Sequence, residues 1–380
     1  MNNQTIANPI IPLYKQIDKF LVKSKGCYQY DADGKEYIDF ESGDWAANLG
    51  HSHDKINQTI RNQLELSIHD GLRFRNSQSE DLSIRLLEKL SFTYGKSVFL
   101  NSGSEAVNLG ITLARNLTGR KKILKMDCSF LSSIGYGRIS EDNTDLLDIP
   151  VDRTDYLSRI NFQEIAAFVL EPGNSKGLIK YPSHHFISSV ALAVKQNGGF
   201  LMANEVTTGF GRTGKWFGFQ HYDYKPDIIS TGKALGNGFP ISCVSISREV
   251  SELFDKNPFR YAQSHQNDPL GCAIGLEVIN IMENEGLIQQ SYDMGEYFSD
   301  QLIQIKNQHG QKVKEIRARG LMLGMELNDS IYAENIYLQL IDSGFLVGLK
   351  DNVIRFMPPL IITKSQIDTL IGALDCLLAP

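Results

Sequence analysis

The chain has 380 residues, 42% of them hydrophobic and 22% charged, which is enough apolar material for a large core and a length that suggests two domains. Lys and Arg number 38 against 44 Asp and Glu, a net charge of −6, which excludes the electrostatic footprint of a non-specific nucleic-acid or anionic-membrane binder. No apolar run is long enough to cross a bilayer, the N-terminus lacks the basic and apolar regions of a signal peptide, and five scattered cysteines read as reduced thiols of a cytoplasmic protein.

The spacing of residues 12–23 predicts a helix. Asp31-Ala32-Asp33-Gly34, between strand-like pieces at 27–30 and 36–40, predicts a hairpin. Short β-branched and apolar runs at 97–100, 123–126, 168–171, 200–206, 227–230 and 241–247 predict strands. Amphipathic stretches at 105–117 and 185–196 lie between some of them. Such alternation predicts an α/β fold with a mostly parallel sheet. The expected arrangement is a large α/β domain over 46–279 and a smaller α+β domain built from both termini, 1–45 with 280–380.

Five constellations carry candidate chemistry. Asn101-Ser102-Gly103-Ser104-Glu105 sits between a strand and a helix, where small residues and free N–H groups suit a phosphate. The same residues also read as a plain N-cap. Glu171-Pro172-Gly173 ends an apolar strand, where ligand crevices open. Residues 209–214 match G-x-G-x-x-G, but no helical pattern follows, so a dinucleotide site is rejected. Lys233, in Ser230-Thr231-Gly232-Lys233-Ala234-Leu235-Gly236, follows a strand among small residues, where desolvation makes an amine nucleophilic, although an exposed lysine in a turn fits as well. Arg355, inside the apolar run 353–360, must find a carboxylate, either the substrate's or the protein's own. The pairs His51/His53 and His184/His185 lack zinc-ligand spacing, and no metal is expected.

Together and in this order, these motifs resemble the class III (ornithine, acetylornithine, 4-aminobutyrate) aminotransferases, which are fold-type I pyridoxal-phosphate enzymes. The resemblance spans nearly the whole chain, from Tyr28-Gln29-Tyr30-Asp31 to Arg355-Phe356-Met357-Pro358-Pro359. It implies pyridoxal 5'-phosphate held as a Schiff base on Lys233, which then shuttles the substrate proton. It implies a phosphate cradle at Ser102-Gly103-Ser104 and a ring stacked on Phe130 with Val206 on the opposite face. Ser264 stands where the family has a threonine that reaches the partner subunit's cofactor, which implies a homodimer with shared active sites. Arg355 resembles the arginine that binds the carboxylate of glutamate or 2-oxoglutarate. Glu171 resembles the glutamate that pairs with that arginine when the substrate presents an ω-amine.

The chain departs from the family at several of these positions. Asn204 replaces the aspartate that keeps the pyridine nitrogen protonated and so maintains the electron sink. Thr207 stands for a glutamine near the phenolic oxygen, where a hydroxyl can still donate. Leu131 and Ser132 replace His-Gly, and Ser133 lies near a position held by arginine in some relatives. Trp45 and Asp44 fall in the loop that contacts substrate, as a pocket wall and as a reader of a substrate amine, or else as plain core and turn residues. The leading expectation is an aminotransferase that passes an amino group from an amino acid or ω-amine to a 2-oxo acid, foremost 2-oxoglutarate. A racemase, an eliminating enzyme or an impaired homologue are the alternatives that Asn204 raises.

Overall fold

The computed structural model describes residues 10–11, 13–14, 16–140, 142–173 and 176–379. Strands β1 (Leu21–Lys25), β2 (Tyr28–Asp31) and β3 (Glu36–Asp39) form an antiparallel meander. The first turn is made at Gly26, which takes φ +58°, a backbone conformation that glycine adopts without penalty. The expected hairpin is therefore present, but the helix expected over 12–23 is not. Leu21, Val22 and Lys23 lie in β1, Pro12 and Lys15 fall outside the described residues, and no other described residue of the stretch is helical. Pairing with β2 supplies the backbone bonds that helix propensity would otherwise have to secure, and tertiary context overrides that weak prior.

Helices α1 (Asp54–Leu64) and α2 (Ser77–Leu90) lead into the alternating part of the chain. There β4 (Lys96–Leu100), α3 (Gly103–Thr118), β5 (Lys122–Met126), β6 (Leu146–Ile149), β7 (Ile165–Leu170), α4 (His184–Gln196), β8 (Phe200–Asn204), β9 (Ile228–Thr231) and β10 (Ser242–Ile246) follow in order. The sheet is seven-stranded, ordered β4-β10-β9-β8-β7-β5-β6. β10 runs antiparallel to both neighbours, and the five strands from β9 to β6 are parallel. A parallel sheet covered on both faces needs strands that are apolar throughout. β7 meets that need: all six residues are buried, with Ile165, Phe168 and Leu170 in one core and Ala166, Ala167 and Val169 in the other.

The rest of the chain adds α5 (Arg248–Lys256), α6 (Pro269–Asn284), α7 (Leu287–Gln308), β11 (Val313–Arg319), β12 (Met322–Leu327), α8 (Ser330–Asp342), β13 (Phe345–Leu346), β14 (Gly348–Lys350), β15 (Val353–Phe356) and α9 (Lys364–Leu378). A second sheet runs β11-β12-β15-β14, while β13 pairs in parallel with β3 and so completes the N-terminal sheet with a strand from the other end of the chain. Phe40, just past β3, packs against Phe298 of α7 and Phe356 of β15 at ring separations of 5.8 and 6.5 Å.

Arg212 ties these parts together. It is fully buried, and its guanidinium donates to Leu321 O, Pro358 O, Ser42 Oγ (3.0 Å) and Asn48 Oδ1 (2.6 Å). One side chain thus joins the loop after β8, the loop after β3 and two C-terminal segments. Among the described residues, no helix is long and apolar enough to cross a membrane.

Candidate active site

The parallel strands end where α3 begins, which is where open α/β sheets bind ligands. Ser102 caps α3 by accepting the Glu105 N–H, and the Glu105 carboxylate accepts the Ser102 N–H (2.7 Å), so the capping reading of this motif is correct. The phosphate reading also survives. First-turn N–H groups have no carbonyl partner within their own helix, and they sit at its positive end. A Cβ at Gly103 would stand 2.5 Å from Val206 Cγ1, so only glycine fits there.

Ser102, Gly103 and Ser104 form one wall of a cavity of about 610 Å³ that is also lined by Trp45, Asp44, Phe130, Leu131, Asn204, Val206, Thr207 and Lys233. The sequence scattered these residues over almost 190 positions, and the fold gathers them because β4, β5, β8 and β9 all end at this edge.

Lys233 lies just beyond β9 and takes φ +45°, a strained backbone for a residue with a Cβ. Its Nζ lies 4.0 Å from the centre of the Trp45 ring and 3.5 Å from Thr207 Oγ1, to which it donates. Burial lowers the amine to about 8, against the pull of the Asp44, Glu171 and Glu41 carboxylates. Lys233 is therefore a cavity-lining residue and not the exposed turn lysine that its sequence context also allowed.

Asn204 lines the cavity from the last position of β8. Its Nδ2 donates to Glu171 Oε1 (3.2 Å) and to Phe130 O (3.3 Å), and its Oδ1 accepts the Val206 N–H (3.3 Å). Glu171 is buried and also accepts the Phe130 N–H at 3.0 Å. Glu205 beside it accepts from Thr208 Oγ1, Gly218 N and Phe219 N, which folds the 205–219 loop back under the strand ends.

The substrate side of the site adds a residue that the sequence did not single out. Arg355 pairs with Glu41, Nη2 to Oε2 at 3.2 Å, and its guanidinium lies 4.8 Å from the Trp45 ring centre. Glu171, expected to pair with Arg355 when the substrate presents an ω-amine, bonds Asn204 and Phe130, and Glu41 stands beside Arg355. The reason is the turn Ser42–Trp45, whose four residues all have positive φ (49°, 56°, 65° and 70°). Asp39 holds this left-handed turn by accepting the Glu41 and Gly43 N–H groups at 2.7 and 2.9 Å, and Ser42 Oγ donates to Met357 O. The turn swings Trp45 over Lys233 and lets its Nε1 donate to Glu41 Oε2 (2.9 Å). Burial pushes the Glu41 carboxyl up, opposed by Arg355 and the Trp45 N–H. Glu41 Oε1 and Arg355 Nε are buried without a hydrogen-bond partner, an arrangement that suits a polar ligand. Sequence reasoning missed Glu41 altogether, because no local pattern marks a left-handed turn of Ser, Gly, Asp and Trp.

Other residues singled out in the sequence lie outside the lining of this cavity. Ser264 is exposed on the 264–267 turn, next to Gln263, which donates to Glu105 Oε1. His51 bonds buried Asp39 rather than facing His53. The 209–214 glycines are followed by a short 3₁₀ turn at Gly218–His221, so no dinucleotide helix opens there. Among the described residues, one trio of metal-type side chains converges, His69 and His265 on the two oxygens of Asp268, and these contacts already satisfy it by hydrogen bonds.

The residues present fit the pyridoxal 5'-phosphate implied by the resemblance. The cavity offers the helix N-terminus at Ser102–Ser104, where Gly103 packs so closely on Val206 that a Cβ would clash, an aromatic side chain at Phe130, and a desolvated amine.

Comparison with known proteins gives the same direction. The family model described as Aminotransferase class-III matches residues 12–134 and 140–378. An acetylornithine aminotransferase of Caldanaerobacter subterraneus is 32% identical over 388 residues, covering 97% of each chain. An ornithine aminotransferase of Brevibacillus brevis is 32% identical and covers 93% of this chain and 92% of its own. A Bacillus anthracis aminotransferase crystal structure superposes with a TM-score of 0.91 at 26% identity, covering 99% of this chain and 96% of the other. The racemase, elimination and impaired-homologue alternatives are not favoured.

Proposed function

Because the chain belongs to the class III aminotransferases, a family of pyridoxal-phosphate-dependent transaminases, we propose that the cavity around Lys233 is where it moves an amino group from an amino acid or ω-amine donor to a 2-oxo acid. The observation that carries this reading is Lys233 itself, an amine lowered to about 8 by burial at the strand ends, beside an anion cradle. When bound, the cofactor supplies the electron sink that acidifies the substrate's Cα–H. Lys233 Nζ is the base that takes this proton and returns it. Its lowered basicity suits both directions near neutral pH. Ser102, Gly103 and Ser104 hold the phosphate, Phe130 and Val206 sandwich the ring, Asn204 meets the ring nitrogen, and Thr207 bonds the phenolic oxygen. Trp45 excludes water from above Lys233, and Asp44, exposed on the wall, reads the donor's amine.

In this reading Arg355 binds the acceptor's carboxylate, with 2-oxoglutarate as the preferred acceptor, and Glu41 occupies the guanidinium between turnovers. Arg355→Ala should raise KM for the 2-oxo acid roughly 10- to 150-fold, the loss of about 1.5–3 kcal/mol of charge-assisted hydrogen bonding, with kcat changed much less. An unchanged KM removes Arg355 from the substrate site. The reading as a whole is tested by absorption spectra of the purified protein with the cofactor, titrated with amino donors that include N-acetylornithine and ornithine. A donor-induced shift to the amine form, reversed by 2-oxoglutarate, supports it; an unresponsive spectrum across the panel sinks it.

We also read the chain as a large unit of residues 46–279 and a small one of 1–45 with 280–380, working in the cytoplasm as a homodimer. Supporting the dimer, Leu64, Leu66, Ile68, Leu72 and Phe74 are all at least half exposed within eleven residues, and such a patch marks an interface. The exposed Ser264 is then free to serve the partner's cofactor. Sedimentation of the active enzyme should give a dimer, and a fully active monomer overturns this part of the reading.

A further inference from the structure

Asn204 presents a chemical problem: a neutral amide stands where the ring nitrogen needs a charge to stay protonated. Its surroundings settle which end of the amide is available. Nδ2 lies 3.2 Å from Glu171 Oε1 and 3.3 Å from Phe130 O, which are two acceptors, and Oδ1 lies 3.3 Å from the Val206 N–H, a donor. The flipped amide would set oxygen against two oxygens and NH₂ against N–H. The orientation is therefore fixed. Both hydrogens of the amide have acceptors, and the remaining capacity is the second lone pair of Oδ1. A ring nitrogen meeting Asn204 must then be the donor, and so must carry a proton.

The charge that holds this proton lies one residue further in. Glu171 is buried, and each of its oxygens accepts an N–H, Oε2 from Phe130 and Oε1 from Asn204, the pattern of an ionised carboxylate. A negative charge on the N–H side of an amide polarises it and makes its carbonyl oxygen a stronger acceptor, and such relays strengthen cooperatively where the dielectric is low. We propose that Glu171 acts through Asn204 as a positioning residue for the cofactor, so that the pair Glu171–Asn204 keeps the ring nitrogen protonated as a single carboxylate would. This rests on the reading of the cavity as a pyridoxal-phosphate site. It gives Glu171 a role apart from the substrate and explains why a buried carboxylate stands beside the departure at position 204.

The test is ¹⁵N NMR of holoenzyme loaded with ring-¹⁵N pyridoxal 5'-phosphate, in the wild type, Glu171→Gln, and the double variant Glu171→Gln/Asn204→Asp. The wild type is expected to show the shift of a protonated ring nitrogen. Glu171→Gln should move it to the unprotonated position and lower kcat by about 10²-fold or more, the scale of losing a fixed electrostatic partner. The double variant should restore the protonated shift and most of the rate, a rescue that repair of packing alone would not give. An unprotonated ring nitrogen in the wild type overturns the proposal without recourse to any variant, as does a protonated shift unchanged by Glu171→Gln. Borohydride reduction followed by mass analysis of the Lys233 peptide separates this from the underlying reading. Cofactor fixed on Lys233 with an unprotonated nitrogen defeats the relay alone, whereas no cofactor on Lys233 defeats both.

Discussion

Lys233→Ala should abolish transamination, lowering kcat/KM by at least about 10⁴-fold, the upper range for loss of a positioned general base, since the same substitution removes the covalent anchor as well. The argument rests on position and on basicity. Lys233 is an amine that lines the cavity beside Thr207 and Trp45, and burial has lowered it to about 8, so a minority of about one fifth is neutral near physiological pH, far more than for an ordinary lysine. Two measurements check this beyond activity. Mass analysis after borohydride reduction should find the cofactor on Lys233 in the wild type and none in the variant. In the wild type, the rate of cofactor incorporation into apoenzyme should rise with pH and level off above about 8, because only the neutral amine attacks an aldehyde and its fraction falls tenfold per unit below that value. A variant that still carries covalent cofactor, or a rate flat from pH 6 to 9, would show that another group does the work.

Arg212→Met should destabilise the protein by at least about 3 kcal/mol, since several buried acceptors lose a charged donor at once. Met matches the stem in length and apolar character, so the change isolates the guanidinium. Four acceptors from three segments lose their donor: Leu321 O, Pro358 O, and Ser42 Oγ with Asn48 Oδ1. The effect should reach the active site, because Ser42 begins the left-handed turn that carries Asp44 and Trp45. Urea unfolding should show the lost stability, and KM for the donor should rise along with it. Arg212→Lys should recover only part of either, since a single ammonium cannot reproduce the planar fork. A Met variant within about 1 kcal/mol of wild type would show that the four acceptors find other donors.

Much of the site was readable before the fold was known, and the reason differs from residue to residue. Lys233, Ser102-Gly103-Ser104 and Asn204 each lie within a few residues of a strand end, and a strand end is marked locally by an apolar run followed by small or polar residues. The hairpin at 27–40 was readable because its turn chemistry is local. The strand at Leu21–Lys25 was not, since the same residues suit a helix in isolation and only the presence of β2 decides between the two. The pairing of Arg355 with Glu41 was not readable for a related reason. Any buried arginine must have a carboxylate, but which carboxylate depends on how a left-handed turn held by Asp39, more than 300 residues earlier in the chain, is aimed.

The sequence by itself determined the α/β alternation, the family resemblance and the cofactor that the family uses, because each is carried by short ordered patterns of residue types. Only the tertiary structure decided that Glu41 faces Arg355, that Glu171 stands behind Asn204, and that one amide orientation is allowed there. Those are relations between side chains from separate strand ends, and no local propensity encodes the distance or direction between them.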